Sequence, residues 1–522
     1  MRNWAGLLCG VVLAGGAGIV ESGCGNSTGV PRKDAATLPD VPISSGGEAS
    51  TSQPEGNPDG KDTAMTSQPE VTPESNDAGM TVPGESDAVG EDSTTSVAAE
   101  AGVGLPEEAR SDLPRADVEP TNTEKSELSA QFADFAFGLL AEMGKAQSAL
   151  GNYAFSPMSI WLALSMVYPG ARGNTASQMK NVLHITMSDD AYFQSLGWIE
   201  RQLESRIATA IAQAQKKRSG AVVDEAAYQL SVVDAAWGDR TLSFERAYLD
   251  TLATAFGVGV RLADFLLQPE VERVAINSWV SQQTAGRVND LISPGYIDSS
   301  TRCVLANALY LKLPWADPFL ESDTAPGTFT RSDGAKVTVP FMSFKPGSGH
   351  LNFEYAEDDN TQAVAIPLDG KEISFVVFLP KPTSSLAQLE STLSSTGVRA
   401  IVDQMSEQAV ALKLPKLGLA TPTIDLSQML IALGMTDAFD PSVADFSGIA
   451  REPLAIAHVL HKTTVGVDEH GVEAAAATAV SLTWSSASDI KNVDISRPFF
   501  FGIYDRPTST WLFLGHVVDP TL

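Results

Sequence analysis

Val467-Asp-Glu-His-Gly-Val-Glu-Ala-Ala-Ala-Ala-Thr-Ala-Val-Ser-Leu-Thr-Trp-Ser-Ser486 is the stretch on which the reading of this chain turns. Alanine is the best helix former and Glu469 and Glu473 stand four apart, so an exposed helix is one reading. The stretch nevertheless lacks an apolar stripe at helical spacing with which a helix could dock on a core. Strand spacing sorts it better. Every second residue from Val472 gives Val472, Ala474, Ala476, Thr478, Val480, Leu482 and Trp484. The intervening set is Glu473, Ala475, Ala477, Ala479, Ser481, Thr483 and Ser485. The first face is mostly apolar, and the second is small or polar with the single charge. Such a segment suits an exposed loop and is patterned to become a half-buried strand. The small residues near its start let a chain slip between existing strands.

Outward from this stretch the composition changes once, near Glu127. Gly25 to Lys125 contains no Phe, Trp or Tyr, and carries 20 acidic against 6 basic residues, a net charge of −14 out of −29. Thr-Ser-Gln-Pro-Glu occurs twice in it, at Thr51–Glu55 and Thr66–Glu70. A segment so poor in apolar side chains cannot offset its chain entropy by burial, so residues 25–126 are expected to be a disordered acidic tether. A flexible coil of that length reaches roughly 55 Å root-mean-square. Residues 127–522 carry aromatics and apolar runs throughout and are expected to form one domain. The acidic balance argues against a nucleic-acid partner. Lys216-Lys217-Arg218, the one basic cluster, reads as a solvated helix end or loop.

Residues 1–24 read as an export signal: Met1-Arg2, then an apolar, Gly-broken run from Leu7 to Val20, too short to span a membrane comfortably. Cys24, within Ser22-Gly-Cys-Gly25, resembles a bacterial lipoprotein cleavage site and is the lipidation candidate, although Glu21 stands where an aliphatic residue is expected. The chain is thus expected to be exported, extracellular or in the cell envelope, with membrane anchoring through Cys24 or ordinary secretion as the two routes. Of three cysteines, only Cys303 falls in the domain. It lies in an apolar run and reads as a small core residue, not a nucleophile.

Helices are expected over Leu128–Met143, from Ser156-Pro157 through Met166, over Thr175–Leu183, Phe193–Gln213 and Val274–Gln283. Strands are expected at Leu230–Trp237, Cys303–Leu311, Ala363–Leu368, Ser374–Leu379, Ala409–Leu414, Phe499–Tyr504 and Trp511–Val517. Helices first and strands later make an α+β domain.

Catalytic and metal motifs are missing. The six histidines make no His-Glu-x-x-His spacing, and Cys-x-x-Cys, Gly-x-Ser-x-Gly and Walker sequences are absent. His458 and His461 have no third ligand nearby and read as hydrogen-bonding residues. Gly170-Ala-Arg-Gly-Asn-Thr175 reads as a loop leading into a helix. Neither an enzyme, a cofactor nor a metal is expected.

From about Leu128 to its end the chain resembles the serpin family, through many motifs in the family's order. These are Asn152-Tyr-Ala-Phe-Ser-Pro-Met-Ser-Ile160, Gly170–Thr175 with Gln178, and Ile276-Asn-Ser-Trp-Val280 with Thr284 and Gly286. Leu305-Ala-Asn-Ala-Leu-Tyr310 with Trp315 follows, then Leu433–Phe439, Ala444–Gly448, and His461-Lys462. Arg497-Pro-Phe-Phe500 and Phe513-Leu-Gly-His516 close the set. Asp234, Leu313-Pro314 and Ile366-Pro-Leu368 depart from the family's usual residues.

The resemblance implies a serpin fold of about nine helices and three β-sheets, with an exposed reactive-centre loop that can insert into the central sheet. It implies a serine-type endopeptidase inhibitor acting as a suicide substrate, a monomer whose partner is a target serine protease held in a covalent complex. Glu469, Gly471, Val472, Glu473, Ala474, Ala475, Ala476, Ala477 and Thr478 match the hinge. The family's register places the reactive bond at Ser485-Ser486, with Trp484-Ser485 as alternative. Ser156, Ser159, Asn307 and His461 match the polar cluster beneath the opening of the sheet, and Trp315 the tryptophan where the loop inserts. Trp484, and the absence of Lys or Arg between Lys462 and Lys491, favour chymotrypsin-like, subtilisin-like or elastase-like targets. A non-inhibitory serpin serving as a binding or structural protein is the alternative.

Overall fold

Apolar residues at helical spacing from Leu128 onward form the core face of α1 (Asn122–Gln147). The helix starts before its apolar stripe because Thr121 and Glu124 make a reciprocal capping box. The Thr121 hydroxyl accepts from the Glu124 amide at 3.2 Å, and the Glu124 carboxylate accepts from the Thr121 amide at 2.8 Å. The Ser156-Pro157 start gives α2 (Pro157–Val167), capped by Ser156 and buried at every position, as an all-round apolar helix must be. Next come α3 (Gly173–Val182) and α4 (Asp189–Lys217), whose ends carry Asp189 and Asp190 first and Lys216 and Lys217 last, complementing the helix dipole. Then come α5 (Arg246–Thr251), α6 (Pro269–Gln283), α7 (Leu386–Thr392), α8 (Ser395–Gln404) and α9 (Ser427–Ala432). The Pro269 start of α6 precedes the expected Val274, since proline at the first turn gives up no needed amide.

The computed structural model describes residues 6–15, 107–147, 151–217, 223–345, 352–472 and 490–522. Among them are nine α-helices and three β-sheets. None of these helices is long and apolar enough to cross a membrane.

The strands are β1 (Gly6–Gly15), β2 (Glu108–Ala109), β3 (Tyr153–Phe155), β4 (Gln229–Asp239), β5 (Val260–Ala263) and β6 (Thr301–Pro314). They continue with β7 (Ala325–Thr330), β8 (Lys336–Phe344), β9 (Asn352–Glu357), β10 (Thr361–Pro367), β11 (Ile373–Pro380), β12 (Ser406–Pro415), β13 (Leu417–Ala420) and β14 (Ile424–Asp425). The last are β15 (Leu454–Val467), β16 (Gly471–Val472), β17 (Lys491–Asp494), β18 (Phe499–Asp505) and β19 (Thr510–Val517).

The central sheet runs β2-β5-β4-β6, then β15, with β16 and β1 both seated between β6 and β15. A second sheet runs β3-β19-β18-β11-β10-β9 and ends on the first half of β12. The second half of β12 joins a third sheet with β8, β7 and β17. Strands β11 and β19 are buried along their whole length, which accounts for apolar runs without alternation. One large core packs α1, α2 and α4 with the sheets. A smaller one packs Ile276 and Val280 of α6 with Trp237, Val304, Ala306 and Leu460 of the central sheet.

Two stretches differ from the sequence reading. Glu107 to Ser126, expected inside the tether, is packed on the domain: Glu107 accepts from the Leu262 amide at 2.7 Å, β2 pairs β5, and Arg115 meets Glu200 and Glu204. The boundary therefore lies before Glu107, because backbone pairing and ion pairs, not apolar content, order this stretch. Gly6–Gly15, inside the run read as an export signal, is a strand of the central sheet.

Candidate functional site

The decisive stretch begins where β15 ends. After Val467 the chain turns at Asp468–His470 and re-enters the sheet as β16, with Val472 opposite Val467 on one side and opposite Leu313 on the other. Gly471 faces Pro314, the last residue of β6, a strand end where proline is tolerated. The departure Leu313-Pro314 therefore sits at the mouth of the slot.

Every carbonyl of the turn is bound from outside it. The Trp315 indole Nε1 donates to the Asp468 carbonyl at 2.8 Å, and the Trp315 amide donates to that of His470 at 2.9 Å. The Phe319 amide donates to the Glu469 carbonyl at 3.0 Å. Trp315 itself is buried edge-on against Phe319 and Phe375. Leu368 bridges Trp315, and the Ala316 amide donates to Pro367, so the Ile366-Pro-Leu departure forms the wall behind the indole.

The Glu469 carboxylate accepts from Lys416 Nζ at 2.6 Å and from the Thr324 hydroxyl at 2.8 Å. Burial opposes its ionisation, but Lys416 and the other donors prevail and hold it below the ordinary carboxylate range. Beside it, burial pushes Asp468 up despite its hydrogen bond from the His470 amide. Asp468, Glu469 and His470 bring three ligand-type side chains together. Both Glu469 oxygens are engaged by Lys416 and Thr324, so the group anchors the turn.

Further along the slot, the Ser156 amide donates to His461 Nε2 at 3.1 Å, and the Thr463 hydroxyl lies 2.8 Å from the same nitrogen. An Nε2 that accepts from an amide carries no proton, so Thr463 donates to it and the ring is neutral. The Ser159 amide caps onto the Ser156 hydroxyl at 3.1 Å. All four residues are buried. Asn307 lies in β6 opposite Asp234 on one side and Cys9 on the other. The structure thus joins Ser156, Ser159 and His461, and sets Trp315 apart at the mouth of the slot.

The other motifs meet in pairs. Gly170 accepts from the Gly448 amide at 3.0 Å, Thr175 accepts from the Asp445 amide at 3.0 Å, and Gln178 donates to Asp437 at 2.8 Å. His458 Nδ1 lies 2.7 Å from Asp425, as a hydrogen-bonding residue would. Cys303 is fully buried, and burial pushes its thiol up to about 12, so it is not a nucleophile at neutral pH. Lys217 donates to Asp317 at 2.7 Å, closing the end of α4.

Glu473 to Thr478, Trp484, Ser485, Ser486 and Cys24 lie outside the described residues, as does the side chain of Asn307. Sequence reasoning missed Lys416 and Thr324, and also a buried pair in which Arg206 of α4 donates to Asp505 of β18 at 2.7 and 3.2 Å. No local pattern signals partners 299 positions apart.

Comparison with known proteins agrees with this architecture. Residues 130–520 match the family described as Serpin (serine protease inhibitor). An uncharacterised serpin-like protein of Thermococcus kodakarensis is 35% identical over 421 residues, covering 80% of this chain and 91% of that protein. A leukocyte elastase inhibitor of Xenopus laevis is 32% identical over 399 residues, covering 75% of this chain and 99% of its own. The native structure of the thermophilic serpin tengpin superposes with a TM-score of 0.64 at 25% identity, over 80% of this chain and all of that one. The family match over residues 130–520, the identity to relatives covered almost end to end, and the superposed fold agree: the chain belongs to the serpin family.

Proposed function

We propose that this serpin inhibits serine endopeptidases of chymotrypsin-like, subtilisin-like or elastase-like specificity as a suicide substrate. The observation that carries the reading is β16: the loop leaves its anchored turn already seated between β6 and β15, aligned to continue down the same slot. In this reading the target's serine Oγ attacks the Ser485 carbonyl carbon and an ester forms. The Ser485–Ser486 amide bond then breaks, and the freed Ser486 amine takes the proton. Residues 473–485 then zip into the slot, with Ala474, Ala476 and Thr478 on the inward face, and the tethered protease is pulled away before water reaches the ester. The alanines keep that face thin enough to enter without overpacking. Trp484 supplies an apolar side chain for a deep specificity pocket.

Export, with anchoring through a lipidated Cys24, completes the proposal. It places the inhibitory domain beyond the membrane at the end of the acidic tether.

The test is incubation of the exported form, from Cys24 onward and so without β1, with chymotrypsin, an elastase, subtilisin and trypsin, followed by denaturing gels and mass spectrometry. A covalent band at the summed mass, with a released peptide starting at Ser486, is expected from one or more of the first three. Cleavage in the loop without any such band would make the protein a substrate-type, non-inhibitory serpin.

A further inference from the structure

The slot that the loop would need is occupied along its length by the chain's own N-terminal strand. β1 is antiparallel to both β15 and β6, with Gly6 opposite Thr464, Cys9 opposite His461 and Asn307, and Gly10 opposite Leu460 and Ala306. Strand β16, the first piece of the loop, is also antiparallel to both neighbours. Counting on from Val472, which faces Val467 and Leu313, an inserted Thr478 would face His461 and Asn307, where Cys9 stands. The two ladders agree along the strand. Gly6 takes the place of Ala475, Gly10 that of Ala479, and Ala14, beyond a bulge at Val12/Leu13, that of Trp484. β1 therefore runs in the direction, the register and almost the full span of the inserted loop, up to the residue aligned with Ser485.

We propose that β1 is a self-inhibitory strand: while the first residues remain attached, they fill the slot and prevent loop insertion, so the full chain is a substrate of its protease and removal of the N-terminal residues arms it. This rests on the inhibitory reading above. The composition suits the role. Leu7, Cys9 and Val11 stand at the register positions of Ala476, Thr478 and Val480, and Gly6, Gly10 and Gly15 at those of Ala475, Ala479 and Ser485. Gly6, Gly10 and Gly15 thus match small residues of the loop and Val11 matches Val480, while Leu7 is larger than Ala476.

Competition follows from backbone bonding. With β1 in place, the facing edges of β6 and β15 are both hydrogen-bonded to it. The loop must break two ladders before it can form its own, whereas acylation requires no insertion. Insertion then loses its race with deacylation.

The test uses the full chain with Cys24→Ala, which retains the N-terminal residues, and the same chain carrying Leu8→Pro and Val11→Pro. Proline has no amide to give a strand paired on both edges, so it should expel β1 and leave the rest of the domain unaltered. Two readouts are taken: hydrogen exchange at residues 6–15, and the fraction of covalent complex formed with the protease panel. The expected result is protected amides and loop cleavage with little complex in the parent, and about a tenfold or greater rise in complex in the proline variant. A peptide of residues 6–15 added to the proline variant should suppress that rise. Unprotected amides in the parent, or equal trapping by both chains, would overturn the inference. Protected amides with no trapping by either chain would leave the strand in its slot and defeat the inhibitory reading instead.

Discussion

The Trp315 indole donates to the Asp468 carbonyl across 2.8 Å, in a buried setting where neither group has water to turn to. This bond joins the residue that follows β6 to the turn from which the loop springs. Trp315→Phe keeps the ring packing on Phe375 but leaves the carbonyl without its indole partner. We expect a loss of about 1–2 kcal/mol in urea unfolding. The turn should also loosen, seen as faster hydrogen exchange at Gly471 and Val472.

Glu469 is held by Lys416 on one oxygen and Thr324 on the other, and its folded value lies below the ordinary 4.5. A depressed carboxylate contributes stability that is full above the unfolded value and is lost as pH falls through the folded one. Glu469→Gln should therefore cost about 1 kcal/mol at pH 7, with the difference from the parent vanishing as pH falls below 4.5. Asp468, whose value is raised, acts with the opposite sign: its contribution is present in acid and is lost as pH rises through its folded value. Thermal unfolding of parent and variant from pH 3 to 7 would check both signs.

His461 Nε2 is the sole acceptor seen for the buried Ser156 amide among the described residues. His461→Leu fills the space but leaves that amide and the Thr463 hydroxyl without it. We expect a loss of about 1–3 kcal/mol. Because His461 and Thr463 lie in β15, one side of the slot, the rate of the proposed loop insertion should change as well, read by fluorescence from a label on the loop.

Arg206 and Asp505 are both buried, and the Asp505 carboxylate also accepts from the Thr508 amide at 3.1 Å. Arg206→Met removes the cation and strands a charge in the core, at a cost of about 3–5 kcal/mol in denaturant unfolding. The double variant Arg206→Met with Asp505→Asn should recover part of that loss. Additive losses would show that the pair is not coupled.

Ala476→Arg addresses the proposed inhibition. A long cation at an inward position of an inserting strand must be buried or must stop the insertion. On the armed protein, the covalent complex should fall about tenfold or more while loop cleavage continues. Ala475→Arg, on the other face, should be milder.

Local physics was legible in the sequence. The Ser156-Pro157 cap, the largely apolar α2 and the buried strands β11 and β19 each follow from short-range patterning. The ordered motifs also pointed to the serpin fold and to Ser156, Ser159, His461 and Trp315, because those residues are close in sequence to the caps and strands that carry them. Tertiary structure alone decided the rest. Lys416 meets Glu469 and Arg206 meets Asp505 because strands and helices far apart in the chain are folded together, and a charge in a sequence does not name its partner. The apolar run beginning at Leu7 is the clearest case. Its residues suit an export signal and a central strand equally well, since both require only a short uncharged stretch. What makes Gly6–Gly15 a strand is the pair of open backbone edges on β6 and β15, a complement that exists only once the sheet has formed.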